Sequence, residues 1–229
     1  IQPGNGSARI LILGNSYAVR AADFLRPMLQ PMAKEILLFA QLGTHILTEG
    51  AAPYKNAWHR VIEGMKPDVT WVITREPELA TKPLTVPIEM DPTFQYARDT
   101  LEFISQHSKQ VVVDYQSVGS MLFDMKWSRF KLLRRISQGK LKFDDFKVTE
   151  EAWTKFNRNE TLRMDKIDNS KLIKHRISEN QCTAGYCYFY NPANLHVYYA
   201  DIFGHATSEL MELLRPSYND VIEELKKRL

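Results

Sequence analysis

Several things are scarce in this chain of 229 residues, and each scarcity removes a class of protein. Apolar runs are short. Nothing approaches the roughly 18 consecutive apolar residues of a membrane-spanning helix, so no segment is read as crossing a bilayer. No apolar stretch opens the chain as a secretory signal would. The first residue is Ile1 rather than Met, as in a mature product or an excised domain. Charge of one sign is not in excess either. Against 30 Lys and Arg stand 27 Asp and Glu, a net charge of +3. That argues against a nucleic-acid partner, since such proteins concentrate far more basic charge on one face.

Cysteine is scarce too, with only two in the chain. They are close neighbours, in Cys182-Thr183-Ala184-Gly185-Tyr186-Cys187. A zinc site would need two further ligands, and no second Cys pair or His-x-x-x-His stands nearby, so no metal is expected. Two readings remain: a tight hairpin disulfide with Gly185 in the turn, or two unrelated reduced thiols. A disulfide implies an oxidising compartment. Two sequons, Asn5-Gly6-Ser7 and Asn159-Glu160-Thr161, agree with that and predict a glycoprotein. Glycine is not gathered into a GxGxxG turn, so dinucleotide binding has no support.

What is present reads as a folded domain. Hydrophobic residues make up 44% and charged residues 25%, an ordinary globular balance. Residues 8 to 13 form a short apolar run ended by Gly14, a buried strand. Ala18, Ala21, Ala22, Leu25 and Leu29 then recur at helical spacing. A second apolar run, 34 to 42, ends at Gly43. Trp58, Val61, Ile62 and Met65 mark a helix, Val69 to Thr74 a third strand, and Glu76 to Pro92 a loop. A helix over Phe94 to Gln106 leads to a fourth strand at Val111. This β-α-β-α-β-α-β order predicts an α/β fold of three layers, with a central, mainly parallel sheet between helices. Residues 121 to 180 are charged and predict a helical insertion outside the sheet, within one domain spanning 1–229. The basic run Lys131 to Lys142 in it reads as a solvated face. Thr207 to Leu229 closes the chain as a helix, with Pro216 as a kink or break.

The residues with chemistry sit at strand ends. Ser16 follows the first strand, at the sheet edge where α/β proteins bind ligands. It also begins a helix, whose N–H groups favour developing negative charge. That suits an acyl-transfer nucleophile, although a serine there can equally be a plain helix cap. A base is needed, and His205 is the best placed of six histidines. Asp201, four residues ahead, can orient its imidazole. His45, His59, His107, His175 and His196 show no comparable partner, though His45 follows Gly43 at another strand end.

Taken in order, the strand–Gly14-Asn15-Ser16-Tyr17 turn, Gly43 after the second strand and the Asp201…His205 pair resemble the SGNH (GDSL-like) hydrolase superfamily. The nearer resemblance is to the SGNH domain fused to acyltransferase-3 membrane proteins, of the nematode O-acyltransferase type. There the first block often reads Gly-Asp-Ser-His or Gly-Asn-Ser-His. A cysteine pair shortly before the Asp–His block also fits that group. Two departures stand out. The last block is Asp201-x-x-x-His205, one residue longer than the family's Asp-x-x-His. The third block, normally Gly-x-Asn-Asp, is absent, and its strand ends instead at Thr74-Arg75. Loss of one oxyanion donor of that kind typically costs about 100- to 1,000-fold in rate.

The resemblance implies an SGNH/flavodoxin-like sheet and acyl transfer or ester hydrolysis. Ser16 would be the nucleophile and His205 the base. Asp201 would orient His205, or the site would run as a Ser–His dyad. The N–H groups of Ser16 and Gly43 would hold the oxyanion, with Arg75 nearby. The partners implied are an acyl donor, a hydroxyl acceptor such as a carbohydrate, and an acyltransferase-3 membrane domain in the same full-length chain. The domain would sit on the extracellular or luminal side of a membrane. No cofactor is implied, acyl-CoA being the membrane domain's substrate. Two competing readings are a catalytically degenerate SGNH-fold binding module and an unrelated doubly wound domain.

Overall fold

The computed structural model describes residues 1–49, 54–121, 134–135, 137–140, 142, 146–201 and 203–229. Its main sheet contains β1 (Gln2–Pro3), β2 (Ala8–Gly14), β3 (Ala33–Ala40), β4 (Val69–Ile73), β5 (Gln110–Tyr115) and β7 (Leu172–Arg176). Their spatial order is β1-β3-β2-β4-β5-β7, and every pairing is parallel except that of β1 with β3. The period of two along β2 assigns its side chains to two cores. Ile10 and Ile12 pack with α1 (Ser16–Leu29) and α6 (Ser208–Arg228) on one face. Leu11 and Leu13 pack with α2 (Lys55–Met65) and α4 (Pro92–His107) on the other. The fold is therefore the expected three-layer α/β arrangement with a mainly parallel sheet.

Because β3 and β4 lie on opposite sides of β2, the chain order switches direction there. Crevices for ligands open at the carboxyl ends of strands at such a switch. Helix α1 starts at this point for a local reason. Asn15 accepts the Tyr17 N–H as N-cap, and Ala18, Ala21, Ala22, Leu25 and Leu29 then bury one stripe of the helix.

Three expectations need correction. Residues 121 to 180 do not all lie outside the sheet: Leu172–Arg176 is strand β7, paired in register with β5. Its polar end, Lys174-His175-Arg176, hid it from an apolar-run reading. His175 is nevertheless buried, against Asp114 of β5. The same span also contains α5 (Glu150–Lys166) and β6 (Lys147–Thr149). Residues 122–133, 136, 141 and 143–145, which include Lys131 at the start of the basic run, lie outside the described residues. The loop 76 to 92 contains the short helix α3 (Pro77–Thr81). Helix α6 runs through Pro216 without a break, held on the sheet by Leu210, Met211 and Leu214 before the proline and Tyr218, Val221, Ile222 and Leu225 after it.

A small second sheet, β6-β9-β8, adds β8 (Cys182–Thr183) and β9 (Tyr186–Tyr188). Ala184 and Gly185 both have positive φ, the two-residue turn that matches strand twist in a hairpin. Cys182 and Cys187 face each other across it and are bridged, which decides between the two cysteine readings. The sequon at Asn159 is closed. Its amide nitrogen donates to the Ala80 and Lys82 carbonyls from within α5, so the expected glycan has no free nitrogen to join there.

Helix α5 is locked to α3 and α4 by one buried cation. Arg163, with no exposed surface, donates to both carboxylate oxygens of Asp91, at 2.9 and 3.0 Å. A third nitrogen donates to the carbonyls of Leu79 and Lys82. Asp91 also caps α4 through the Phe94 N–H, at 2.7 Å. The Arg163 hydrogen bonds hold its carboxyl below the usual range. Removing one partner of a buried pair strands the other, at a cost of about 3–5 kcal/mol. Arg163→Leu is expected to lower unfolding free energy by that amount in urea titrations; a loss under about 1 kcal/mol would show that the pair does not hold these helices together.

Candidate active site

The three residues that the sequence placed far apart meet at the switch point. Ser16 Oγ lies 2.7 Å from His205 Nε2, and His205 Nδ1 lies 2.6 Å from Asp201 Oδ2. The longer Asp201-x-x-x-His205 spacing is absorbed by dividing the carboxylate. Oδ1 accepts the N–H groups of Phe203 and His205, at 2.9 and 3.3 Å, and closes the loop. Oδ2 is left for the imidazole. Gly204 permits this path: its φ is +79°, and a Cβ there would stand 2.7 Å from the Gly119 carbonyl oxygen.

Two side chains hold the same loop from the other side. The Tyr17 hydroxyl donates to the Phe203 carbonyl, and Arg75 Nη1 donates to it at 3.1 Å. Burial pushes the Tyr17 phenol up to about 12, so it keeps its proton at physiological pH. Arg75, expected beside the oxyanion, is thus brought to the site and bonded to the loop of His205. Tyr17 also packs beside the histidine. Its ring lies 5.1 Å from that of His205.

The turn and loops beside Ser16 are organised by Asn15, which is buried. Its Oδ1 accepts the Tyr17 N–H at 3.0 Å. Its Nδ2 donates to the Thr44 carbonyl and to Thr74 Oγ1, both at 2.9 Å. Thr74 in turn donates to Glu76 Oε1 at 2.9 Å. Glu76 also receives the Leu47 N–H at 3.0 Å and the Thr48 hydroxyl at 3.2 Å. The loop after β3 is therefore tied to β2 and to the end of β4 through buried polar groups. Gly43 sits at its turn with φ +73°, a conformation that favours glycine. Ser16 is the first helical residue, where an N–H has no partner inside the helix.

A cavity of about 460 Å³ opens here, lined by Ser16, His205, Gly43, His45, Arg75 and Phe156, among others. Phe156 comes from α5, in the span expected to be an insertion. Among the described residues, no group of three or more His, Cys, Asp or Glu side chains could hold a metal ion.

Sequence reading missed the hub of Asn15, Thr74 and Glu76, and no local signal marks a buried glutamate after a strand. It also missed a second Ser–His–Asp line. His175 Nδ1 lies 2.9 Å from Asp114 and Nε2 3.1 Å from Ser217 Oγ. That line is structural. Ser217 lies inside α6 and gives its hydroxyl proton to the Leu214 carbonyl at 2.9 Å, so it can only accept from His175. Asp114 also receives Trp71 Nε1 and the Tyr218 hydroxyl, both at 2.8 Å.

No protein-family model matches this chain, and no curated protein sequence matches it. Solved structures do. The lipopolysaccharide acetyltransferase periplasmic domain of Salmonella ser. Paratyphi A aligns with a TM-score of 0.58 at 13% identity, covering 95% of this chain and 84% of that one. A candidate SGNH hydrolase from Slackia heliotrinireducens aligns at 0.49 and 13% identity, covering 95% and 100%. A candidate acylhydrolase from Bacteroides fragilis aligns at 0.48 and 14% identity, covering 99% and 90%. At such identity the Salmonella likeness establishes a shared fold.

The buried carboxyls near the site give a pH signature. Burial pushes Glu76 up to about 8 and Glu160 to about 7, from an ordinary value of 4.5. Between those values the folded chain holds protons that the unfolded chain has released. Their stabilising contribution is full below about 4.5 and falls as pH rises through 7 and 8. Unfolding free energy should be lower at pH 8.5 than at pH 5.5, and Glu76→Gln should flatten that difference. An unchanged slope in the variant would refute the assignment to Glu76.

Proposed function

We propose that this chain is an SGNH-type acyl-transfer domain, working on hydroxyl acceptors or on esters. The observation that carries the reading is the continuous line Ser16 Oγ–His205 Nε2, His205 Nδ1–Asp201 Oδ2, at 2.7 and 2.6 Å. Ser16 gives its proton to His205 Nε2 and attacks the acyl carbonyl. Asp201 holds the Nδ1 proton and offsets the imidazolium charge. The oxyanion forms beside the N–H groups of Ser16 and Gly43, with Arg75 adding positive charge close by. His205 then protonates the leaving oxygen. In the second half, an acceptor hydroxyl gives its proton to His205 and attacks the acyl-serine, and Ser16 leaves with that proton.

We further propose that the domain is the extracellular or luminal part of a membrane acyltransferase of the acyltransferase-3 type, with the chain as one domain. The bridged cysteines suit an oxidising compartment. Among the described residues no helix is long and apolar enough to cross a membrane, so the anchor would lie in a further part of the chain. A second reading, a binding module that keeps the fold, draws on one specific feature: the missing asparagine of the third block.

Mutants separate them, with p-nitrophenyl acetate as acyl donor. Ser16→Ala and His205→Ala should each remove nearly all activity, and the double variant should be little worse, because the pair acts as a unit. Asp201→Asn should cost about 100- to 10,000-fold through the wrong tautomer. Full activity in Ser16→Ala, from a preparation free of contaminating esterase, would end the proposal. A small loss in Asp201→Asn would reduce the triad to a dyad.

A further inference from the structure

His45 lines the cavity with Ser16 and His205 but takes no part in the steps above. It lies two residues beyond Gly43, on the loop that Asn15 holds. Its Nδ1 stands 2.8 Å from the Arg75 carbonyl oxygen. A carbonyl can only accept, so Nδ1 carries the hydrogen, and in the tautomer this selects the ring's lone pair is at Nε2. Glu76 lies on the Nδ1 side, at 3.9 Å. Nε2 makes no hydrogen bond to the described residues. Nor is it sealed off, since the side chain is 33% exposed. Several other polar ends of the lining are already engaged. Asn15 is spent on Thr44, Thr74 and Tyr17, Tyr17 on Phe203, and Thr81 on the Pro77 carbonyl.

We infer that His45 selects the acyl acceptor by accepting a hydrogen bond from a hydroxyl other than the one that reacts, so that the preferred acceptor carries at least two hydroxyls. The inference rests on the acyl-transfer reading of Ser16. The hydroxyl that attacks the acyl-serine must give its proton to His205 Nε2. That proton cannot also be donated to His45. An organic acceptor that satisfies both nitrogens therefore carries at least two hydroxyls, one to react and one to be read. In the step itself the acyl carbon–Ser16 oxygen bond breaks and the acyl carbon–acceptor oxygen bond forms. The acceptor's proton passes through His205 to Ser16, and the second hydroxyl is unchanged.

The test is a competition that does not depend on how fast Ser16 is acylated. The chain is given p-nitrophenyl acetate with equal concentrations of propan-1-ol and propane-1,2-diol, and the two acetate esters are quantified by mass spectrometry. The wild-type chain is expected to favour the diol about tenfold beyond the factor from its extra hydroxyl, the effect of about one neutral hydrogen bond. His45→Phe should reduce that preference about tenfold. His45→Gln, whose amide oxygen restores an acceptor, should recover part of it. No diol preference in the wild type, or an undiminished one in His45→Phe, would overturn the inference. Should His45→Phe fail to fold, the wild-type ratio and the partial ratio in His45→Gln decide. Ser16→Ala, run in parallel, separates the two levels. Transfer that persists in it removes the acyl-transfer reading and this inference together. Serine-dependent transfer with an unaltered ratio in His45→Phe removes the inference alone.

Discussion

The buried amide of Asn15 is the constraint on which the site depends. Its oxygen caps α1 and so fixes Ser16 as the first helical residue, with its N–H turned out of the helix's own bonding. Its nitrogen donates to Thr44 and Thr74, which brings the loop after β3 and the end of β4 against the serine turn. One side chain therefore sets Ser16, the Gly43 turn and the strand end that leads to Arg75. An aspartate there would present an oxygen to the Thr44 carbonyl and lose the donor. Glu76 extends the same network beneath the loop, where burial keeps its carboxyl largely protonated at neutral pH.

The histidine side is built on a different economy. One carboxylate both closes its own loop and orients the ring, because Asp201 gives one oxygen to backbone N–H groups and the other to His205. The turn is stabilised from outside by the shared Phe203 carbonyl, which receives Tyr17 and Arg75. Tyr17 follows Ser16 directly in sequence. The serine turn and the histidine loop are thereby registered to each other across 189 positions.

Much of this was legible in the residues. The apolar runs ending at Gly14 and Gly43 are strands; Ser16 and Gly43 stood out at strand ends, His205 between the last apolar run and the final helix, and Asp201 four residues ahead of it. What escaped was set by tertiary pairing. Strand β7 is short and ends in Lys174-His175-Arg176, a pattern that reads as surface until Asp114 is placed beside His175. Glu76 looks like a loop residue until three donors converge on it. The expected insertion was too broadly drawn, because charge along α5 gives no hint that Arg163 is wholly buried or that Phe156 reaches the cavity. The extra residue between Asp201 and His205 could not be judged from spacing, since its accommodation depends on which carboxylate oxygen meets which donor.

If the Ser16–His205–Asp201 line works as proposed, Ser16, and no other serine, is an activated nucleophile. Ser217, the other serine beside a His–Asp pair, is the internal control, since its hydroxyl is committed to Leu214. The most direct measurement is to treat the folded chain with a fluorophosphonate and locate the adduct by peptide mass spectrometry. A single phosphonylated residue, Ser16, is expected, with labelling lost in His205→Ala. A chain that remains unlabelled, or one labelled at Ser217 instead, would contradict it.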